Sequence, residues 1–182
     1  CTGIAVTIGP GSFTGLRIAM AAAKGLAITH TIPLLGISCF EAVAQRVNQA
    51  DRASSYDLLL IALNSKREDL YIECRDSLNE KVIPGGAINS NVLFVKLKKL
   101  IDRQTNIRLI GDGGAQLLEN APIDIYDNFL PVNEKDKEPL DATDVAHCTY
   151  NEASNSRTNI QKNTPSLTID YSHSPDFTLS KN

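Results

Sequence analysis

The stretch that decides the fold is "VTIGPGSFTGLRIAMAAAKGLA", residues 6–27. It passes from a β-branched run, through a glycine-rich loop, into a run rich in alanine. These patterns predict a strand over residues 4–8 and a helix over residues 16–29. A second strand and an amphipathic helix follow in "IPLLGIS" and "CFEAVAQRVNQA". This strand–helix–strand–helix order is typical of α/β proteins with a parallel sheet.

The rest of the chain predicts a second group of elements. "LLLIALNS" and "EDLYIECRD" are typical of a hairpin, and "IRLIGDGGAQLLEN" repeats the strand–glycine–helix order. Residues 92–104 predict a basic amphipathic helix, and a last helix begins near Asp141 or Thr143. The predicted units are residues 1–50, the first α/β lobe; residues 57–150, a second α/β lobe; and residues 151–182, an irregular or disordered tail.

Composition excludes several classes of protein. The sequence has no apolar run long enough to span a membrane. Its net charge of −3 argues against nucleic-acid binding over an extended surface of the chain, so any RNA contact is local or supplied by a partner. Four scattered cysteines and three scattered histidines predict no metal site, and no catalytic constellation stands out. Asp112, in a glycine turn, is interpreted as structural rather than as an acid or ligand.

The glycine loop allows two interpretations. Its GxGxxxG spacing matches neither the dinucleotide fingerprint nor the P-loop. A helix N-terminus is nevertheless a general anion site, and hydroxyl groups there either cap the helix or contact the anion. The candidate anion or nucleotide loop consists of Gly9, Gly11, Ser12, Thr14 and Gly15.

The helix after the loop carries a second signal. Arg17 lies in its first turn, where the helix dipole disfavours a cation by ~0.3–1 kcal/mol, so we expect either a carboxylate, carbonyl or phosphate partner or simple solvation. Gly25 costs ~1 kcal/mol relative to alanine. Small residues one turn apart allow another backbone to approach closely, from the same domain or from another chain.

Specific motifs resemble one family. "IAVTIGPGSFTGLR", followed by "AAAKGLA", resembles the signature of the bacterial TsaB (YeaZ) family of tRNA threonylcarbamoyladenosine biosynthesis proteins. "NSKREDLY", "LIGDGG" and "YSHSPD" resemble later family motifs, with Asn64, Ser65, Ser172 and His173 as departures. The resemblance is strong over residues 1–120 and faint beyond. Because the family's opening strands and first helix have no counterpart here, we expect an N-terminally truncated protein, a split gene or a degenerate copy.

The resemblance implies an actin-like fold of the sugar kinase and Hsp70 type, with two lobes and the start of the N-lobe missing. It implies a non-catalytic, cytoplasmic partner of the transferase TsaD and the ATPase TsaE, which reaches tRNA only through the complex and has homodimerisation as a further option. ATP or ADP and metal are expected in TsaD rather than in this chain. The interface predicted on the helix consists of Arg17, Ile18, Ala21, Ala22, Lys24 and Gly25. The alternatives are an actin-like nucleotide-binding enzyme that uses the glycine loop and a fragment without activity.

Overall fold

A computed structural model describes residues 2–50 and 56–155. The polar segment "NQADRASSYD", residues 48–57, predicts a linker, and its residues 51–55 lie outside the described residues. So do residues 156–182 of the predicted tail. The strands are β1 (Ile4–Gly9), β2 (Leu34–Ser38), β3 (Leu58–Asn64), β4 (Leu70–Asp76), β5 (Lys81–Ile88) and β6 (Ile107–Ile110). The α-helices are α1 (Phe13–His30), α2 (Cys39–Ala50), α3 (Ser90–Leu97), α4 (Gly114–Glu119), α5 (Ile123–Tyr126) and α6 (Ala142–Asn155), and a 3₁₀ helix spans Glu134–Lys137. No described helix is long and apolar enough to cross a membrane.

The first sheet is a parallel pair, β1–β2, covered by helices on both faces. Val6 and Leu34 pack against the inner side of α1, whereas Ala5 and Ile37 pack against α6 and α2. Parallel strands need this cover because their side chains are apolar on both faces. The sheet therefore holds α1 on one side and leaves the far side of that helix away from the core.

The second sheet has the strand order β5-β4-β3-β6. The predicted hairpin is confirmed as the antiparallel pair β3–β4, and β6 runs parallel to β3. Leu70, Ile72 and Cys74 alternate on one face of β4 and are fully buried beneath α3. The strong period-2 pattern of this segment is thus a true core pattern.

Helix α2 contributes to two cores. Its apolar stripe, Phe40, Val43, Ala44 and Val47, is buried against the second sheet, as its amphipathic pattern predicts. On another side, Ala42 packs with residues of β2 and α6. The helix begins directly after β2 ends at Ser38, so no loop separates α2 from the first sheet.

Buried ion pairs fix α2 to its surroundings. The Arg75 guanidinium, 2 % exposed, donates to Glu73 Oε1 at 2.7 Å and to Glu41 Oε2 of α2 at 2.7 Å. Lys81 Nζ lies 2.9 Å from Glu73 Oε2. At the other end of α2, Arg46 pairs with Asp144 of α6. A buried charge of this kind is stable only with its partners in place.

The structure corrects two expectations. The helix predicted over residues 92–104 ends at Leu97, and the loop after it is held by the Asn128 amide, which donates to the carbonyls of Asp102 at 2.7 Å and Thr105 at 2.8 Å. Strand β5 was not predicted, because Pro84 and two glycines weaken its pattern.

The second glycine turn packs tightly. Gly111 has a φ of 104°, and a Cβ built there would lie 2.2 Å from the Ala62 carbonyl oxygen. Asp112 Oδ1 accepts from the Asn64 backbone N–H at 3.0 Å. That carboxylate therefore joins two segments of the fold, consistent with the structural interpretation of Asp112.

Candidate partner interface

The glycine loop makes a sharp strand-to-helix turn. Gly9 has a φ of 125°, a conformation that favours glycine. Ser12 is the N-cap of α1, and its Oγ accepts from the Gly15 backbone N–H at 3.3 Å. Thr14 is exposed, and a Cβ built on Gly11 would meet Leu16 only at ordinary contact distance. The Ser12 hydroxyl thus caps the helix, which is one of the two roles expected for it.

Helix α1 has one buried face and one exposed face. Leu16, Met20, Ala23 and Ala27 recur at helical spacing and are buried against the first sheet. The opposite side is lined by residues at the same spacing, all exposed, and we call it the outer face: Ile18, Ala21, Ala22, Gly25 and Leu26. Ile18 is 65 % exposed and Leu26 is 54 % exposed. Exposed apolar faces of this kind are typical of interaction surfaces.

Gly25 is not required by the packing of the described residues. A Cβ built at this position meets no atom within 4 Å. Thr29 Oγ1 donates to the Gly25 carbonyl at 2.8 Å, so the helix remains regular around the glycine. The space over Gly25 is therefore open on the side where another backbone would approach.

The two cations predicted for the interface lie at the flank of the outer face. The Arg17 guanidinium stacks on the Phe13 ring, 3.7 Å from its centroid. This aromatic partner was not among those expected, and it offsets part of the unfavourable helix dipole. Lys24 is half-buried and falls on the same side of the helix as Arg17. Ile18, Ala21, Ala22 and Gly25 form the centre of the face.

The sequence interpretation missed Leu26, whose exposed side chain extends the outer face. Leu26 lies eight residues after Ile18, which is helical spacing. The helical spacing between Ile18 and Leu26 could have placed both side chains on one face. Because α1 is apolar almost all round, periodicity alone did not separate the outer face from the side that packs on the sheet.

The buried thiol groups of Cys39 and Cys74 are poor nucleophiles. Burial raises the pKa of Cys39 to about 11, although a backbone hydrogen bond from Gly9 lowers it slightly. Burial, with the nearby carboxylates Asp76 and Glu73, raises the pKa of Cys74 to about 12. Both thiols stay protonated at neutral pH. Across the part of the chain that the structure describes, no three His, Cys, Asp or Glu residues cluster in a way that could hold a metal ion.

Comparisons with known proteins define the class. The family model described as "TsaD: tRNA N6-adenosine threonylcarbamoyltransferase" matches residues 1–93. A Pseudomonas aeruginosa structure described as an uncharacterised protein with similarity to peptidase YeaZ superposes with a TM-score of 0.67 at 18 % identity, over 94 % of this chain and 74 % of that one. The structure of YeaZ from the same organism gives a TM-score of 0.59 at 20 % identity, over 84 % and 66 %. The chain is an actin-like α/β protein of the TsaD type.

Curated relatives narrow the class. The TsaB protein of Buchnera aphidicola is 30 % identical over 142 residues, which cover 75 % of this chain and 65 % of that protein. The TsaB protein of Escherichia coli is 38 % identical over 66 residues, which cover 35 % and 26 %. The chain belongs to the TsaB (YeaZ) family, and it spans less than two thirds of the length of these relatives. The predicted family and fold class are thereby confirmed.

Proposed function

We propose that this chain is a non-catalytic subunit in the biosynthesis of threonylcarbamoyladenosine in tRNA, and that it binds a TsaD-type transferase through the outer face of α1. The names of its relatives support the pathway. The observation that carries the proposal is the outer face itself: a charge-free, small-residue surface opposite the buried side of α1. Small residues next to larger apolar residues on one helix face suit close helix–helix packing.

A supporting role fits the chemistry of the described residues better than catalysis does. The Ser12 hydroxyl caps α1, Asp112 bonds to the backbone, and the thiols of Cys39 and Cys74 are buried and protonated. Under this proposal, ATP or ADP and metal bind to the TsaD-type partner, and a TsaE-type ATPase joins the same cytoplasmic complex. The bulk of the tRNA contact also lies in the partner.

Mutation of the outer face tests the proposal. Ile18→Asp should weaken binding to a purified TsaD homologue because a half-exposed isoleucine that becomes buried contributes about 1–2 kcal/mol, roughly 5- to 30-fold in Kd. Ala21→Trp should abolish close approach of the two helices. Calorimetric titration of the folded chain into TsaD gives the Kd directly. An unchanged Kd in both variants would show that α1 is not the interface.

Two further measurements separate the alternatives. Sedimentation of the chain alone, before and after Ala21→Trp, shows whether the same face forms a homodimer. Titration with ATP and ADP tests the nucleotide-binding alternative. Binding that disappears in Gly11→Val would favour an enzyme that uses the glycine loop, and heat-silent titrations would argue against it.

A further inference from the structure

The basic segment after β5 is not used by the proposed interface on α1. Lys96, Lys99 and Arg103 lie on its exposed side. Lys99 N–H donates to the Lys96 carbonyl at 3.1 Å, so the two lysines are one helical turn apart. Side chains at this spacing have Cβ atoms ≈ 5–6 Å apart. The two lysines therefore lie side by side on the exposed surface, and Arg103 follows four residues after Lys99.

The side chains of these three cations make no ion pair or hydrogen bond with the residues that the structure describes, 2–50 and 56–155. Most other arginines and lysines in the same ranges are neutralised by carboxylates: Arg46 by Asp144, Arg75 by Glu41 and Glu73, Arg108 by Asp136, Lys81 by Glu73, Lys98 by Asp124, and Lys137 by Glu134. In an acidic protein, three unneutralised cations within eight residues form a local positive surface.

Two neighbouring carboxylates, Asp102 and Asp124, reduce the positive charge of this surface, but four cations outnumber them: Lys96, Lys98, Lys99 and Arg103. Asp102 Oδ1 accepts from the Gln104 N–H at 2.8 Å and from Thr105 Oγ1 at 2.9 Å. Asp124 Oδ2 lies 2.6 Å from Lys98 Nζ, which ties α5 to the end of α3. Clustered cations of this kind are typical of contacts with the phosphates of RNA.

We propose that Lys96, Lys99 and Arg103 contact the phosphate backbone of tRNA. The proposal rests on the proposed function, and it adds a local RNA contact made by this chain itself. We favour tRNA over an anionic membrane because the relatives of this chain are named as tRNA threonylcarbamoyladenosine biosynthesis proteins. Val92 and Val95 of α3 are exposed beside the lysines, so binding to anionic vesicles is the alternative outcome of the test. Phosphate contacts position a nucleic acid without reading its sequence.

Salt dependence gives a quantitative test. With three phosphate contacts, log K should fall with log salt at a slope of about −2 to −2.7. Affinity for a tRNA transcript should therefore drop roughly 20- to 40-fold between 50 and 200 mM salt. Each of Lys96→Gln, Lys99→Gln and Arg103→Gln should flatten the slope by about one unit or slightly less, with equal effects on different tRNAs. Fluorescence anisotropy of labelled tRNA with the full chain measures both quantities.

Control variants keep the test decisive. Lys135→Gln removes an exposed positive charge elsewhere and should leave the slope unchanged. All four side chains are exposed, so circular dichroism should show the same folded state for each variant. A full chain that does not bind tRNA at 50 mM salt, or a slope unaffected by the three substitutions, would overturn the proposal. The proposal would also be overturned if the three substitutions weakened binding to TsaD, or to anionic vesicles, and left tRNA binding unchanged. Intact TsaD binding with no tRNA binding would leave the proposed function standing.

Discussion

Gly25 offers a test in which stability and binding change in opposite directions. A Cβ at this position meets no atom within 4 Å, so Gly25→Ala places a methyl group in open space. The substitution also removes the entropic cost of glycine in a helix. We expect the free energy of unfolding of the isolated chain to rise by about 0.5–1 kcal/mol. For a chain of this size, each kcal/mol raises Tm by roughly 2–4 °C.

The same position should be intolerant of bulk in the complex. In Gly25→Leu, the new side chain is a good helix former and enters open space in the free chain. The free energy of unfolding should therefore not fall. Against a partner helix, the side chain would hold the two backbones apart. We expect at least a tenfold loss of affinity for TsaD, about 1.4 kcal/mol. Urea unfolding followed by circular dichroism gives the first quantity, and titration calorimetry gives the second.

A matched control is available in β5. A Cβ built on Gly86 also meets no atom within 4 Å, and Gly86 lies on the second sheet, away from α1. Gly86→Leu should leave TsaD affinity unchanged. The reasoning is refuted if Gly25→Ala lowers the free energy of unfolding, because Gly25 would then be packed within the chain. It is equally refuted if Gly25→Leu binds TsaD as tightly as the unaltered chain.

The remaining predictions concern the core. Arg75→Met should lower the free energy of unfolding by about 3–5 kcal/mol in urea titrations, because Glu73 stays buried with its main partner removed. Burial favours a raised pKa for Asp144, but its hydrogen bonds from Arg46 and the backbone dominate and lower the pKa. A carboxyl whose pKa is lower in the folded state contributes stability above its unfolded pKa of about 3.9, and this is lost as pH falls through the folded value. Asp144→Asn should therefore flatten the acid limb of stability against pH. Gly111→Ala should cost at least ~1–3 kcal/mol, since its φ is left-handed and its Cβ overlaps a carbonyl oxygen.

Each of these has a contrary outcome. A change under about 1 kcal/mol for Arg75→Met would mean that water or Lys81 compensates Glu73 fully. An acid limb that keeps its shape in Asp144→Asn would assign the pH dependence to other carboxyls. Wild-type stability in Gly111→Ala would require the Ala62 segment to move aside.

The sequence predicted elements whose apolar pattern is regular and local. The stripe of α2 and the alternation in β4 could be predicted because each residue's environment follows from its own element's period. Glu73 and Arg75 were different. In "EDLYIECRD" they fall on the polar side of the strand, which on sequence grounds faces solvent. In the fold, α2 covers that side, and the two charges neutralise each other in the interior.

The candidate interface could likewise be predicted only in part from the sequence. The small residues of α1 indicated a close approach, but the alanines lie on both faces, and only the packing of Met20 and Ala23 on the sheet separates inside from outside. The partner of Arg17 also depended on geometry, since Phe13 precedes it by one turn and stacks beneath it. The i, i+4 spacing of the two residues was the available signal, but the predicted helix began at residue 16 and left Phe13 outside it.

The double role of α2 has a consequence for how the molecule unfolds. Its residues belong to the cores on both sheets, and it begins at the residue after β2 ends. Unfolding of either core would expose the side of α2 that packs in it. The helix would then be less stable and would support the other core less well. The two sheets should therefore melt in a single cooperative transition, with calorimetric and van't Hoff enthalpies in agreement. In energetic terms the described residues are one folding unit built around a shared helix.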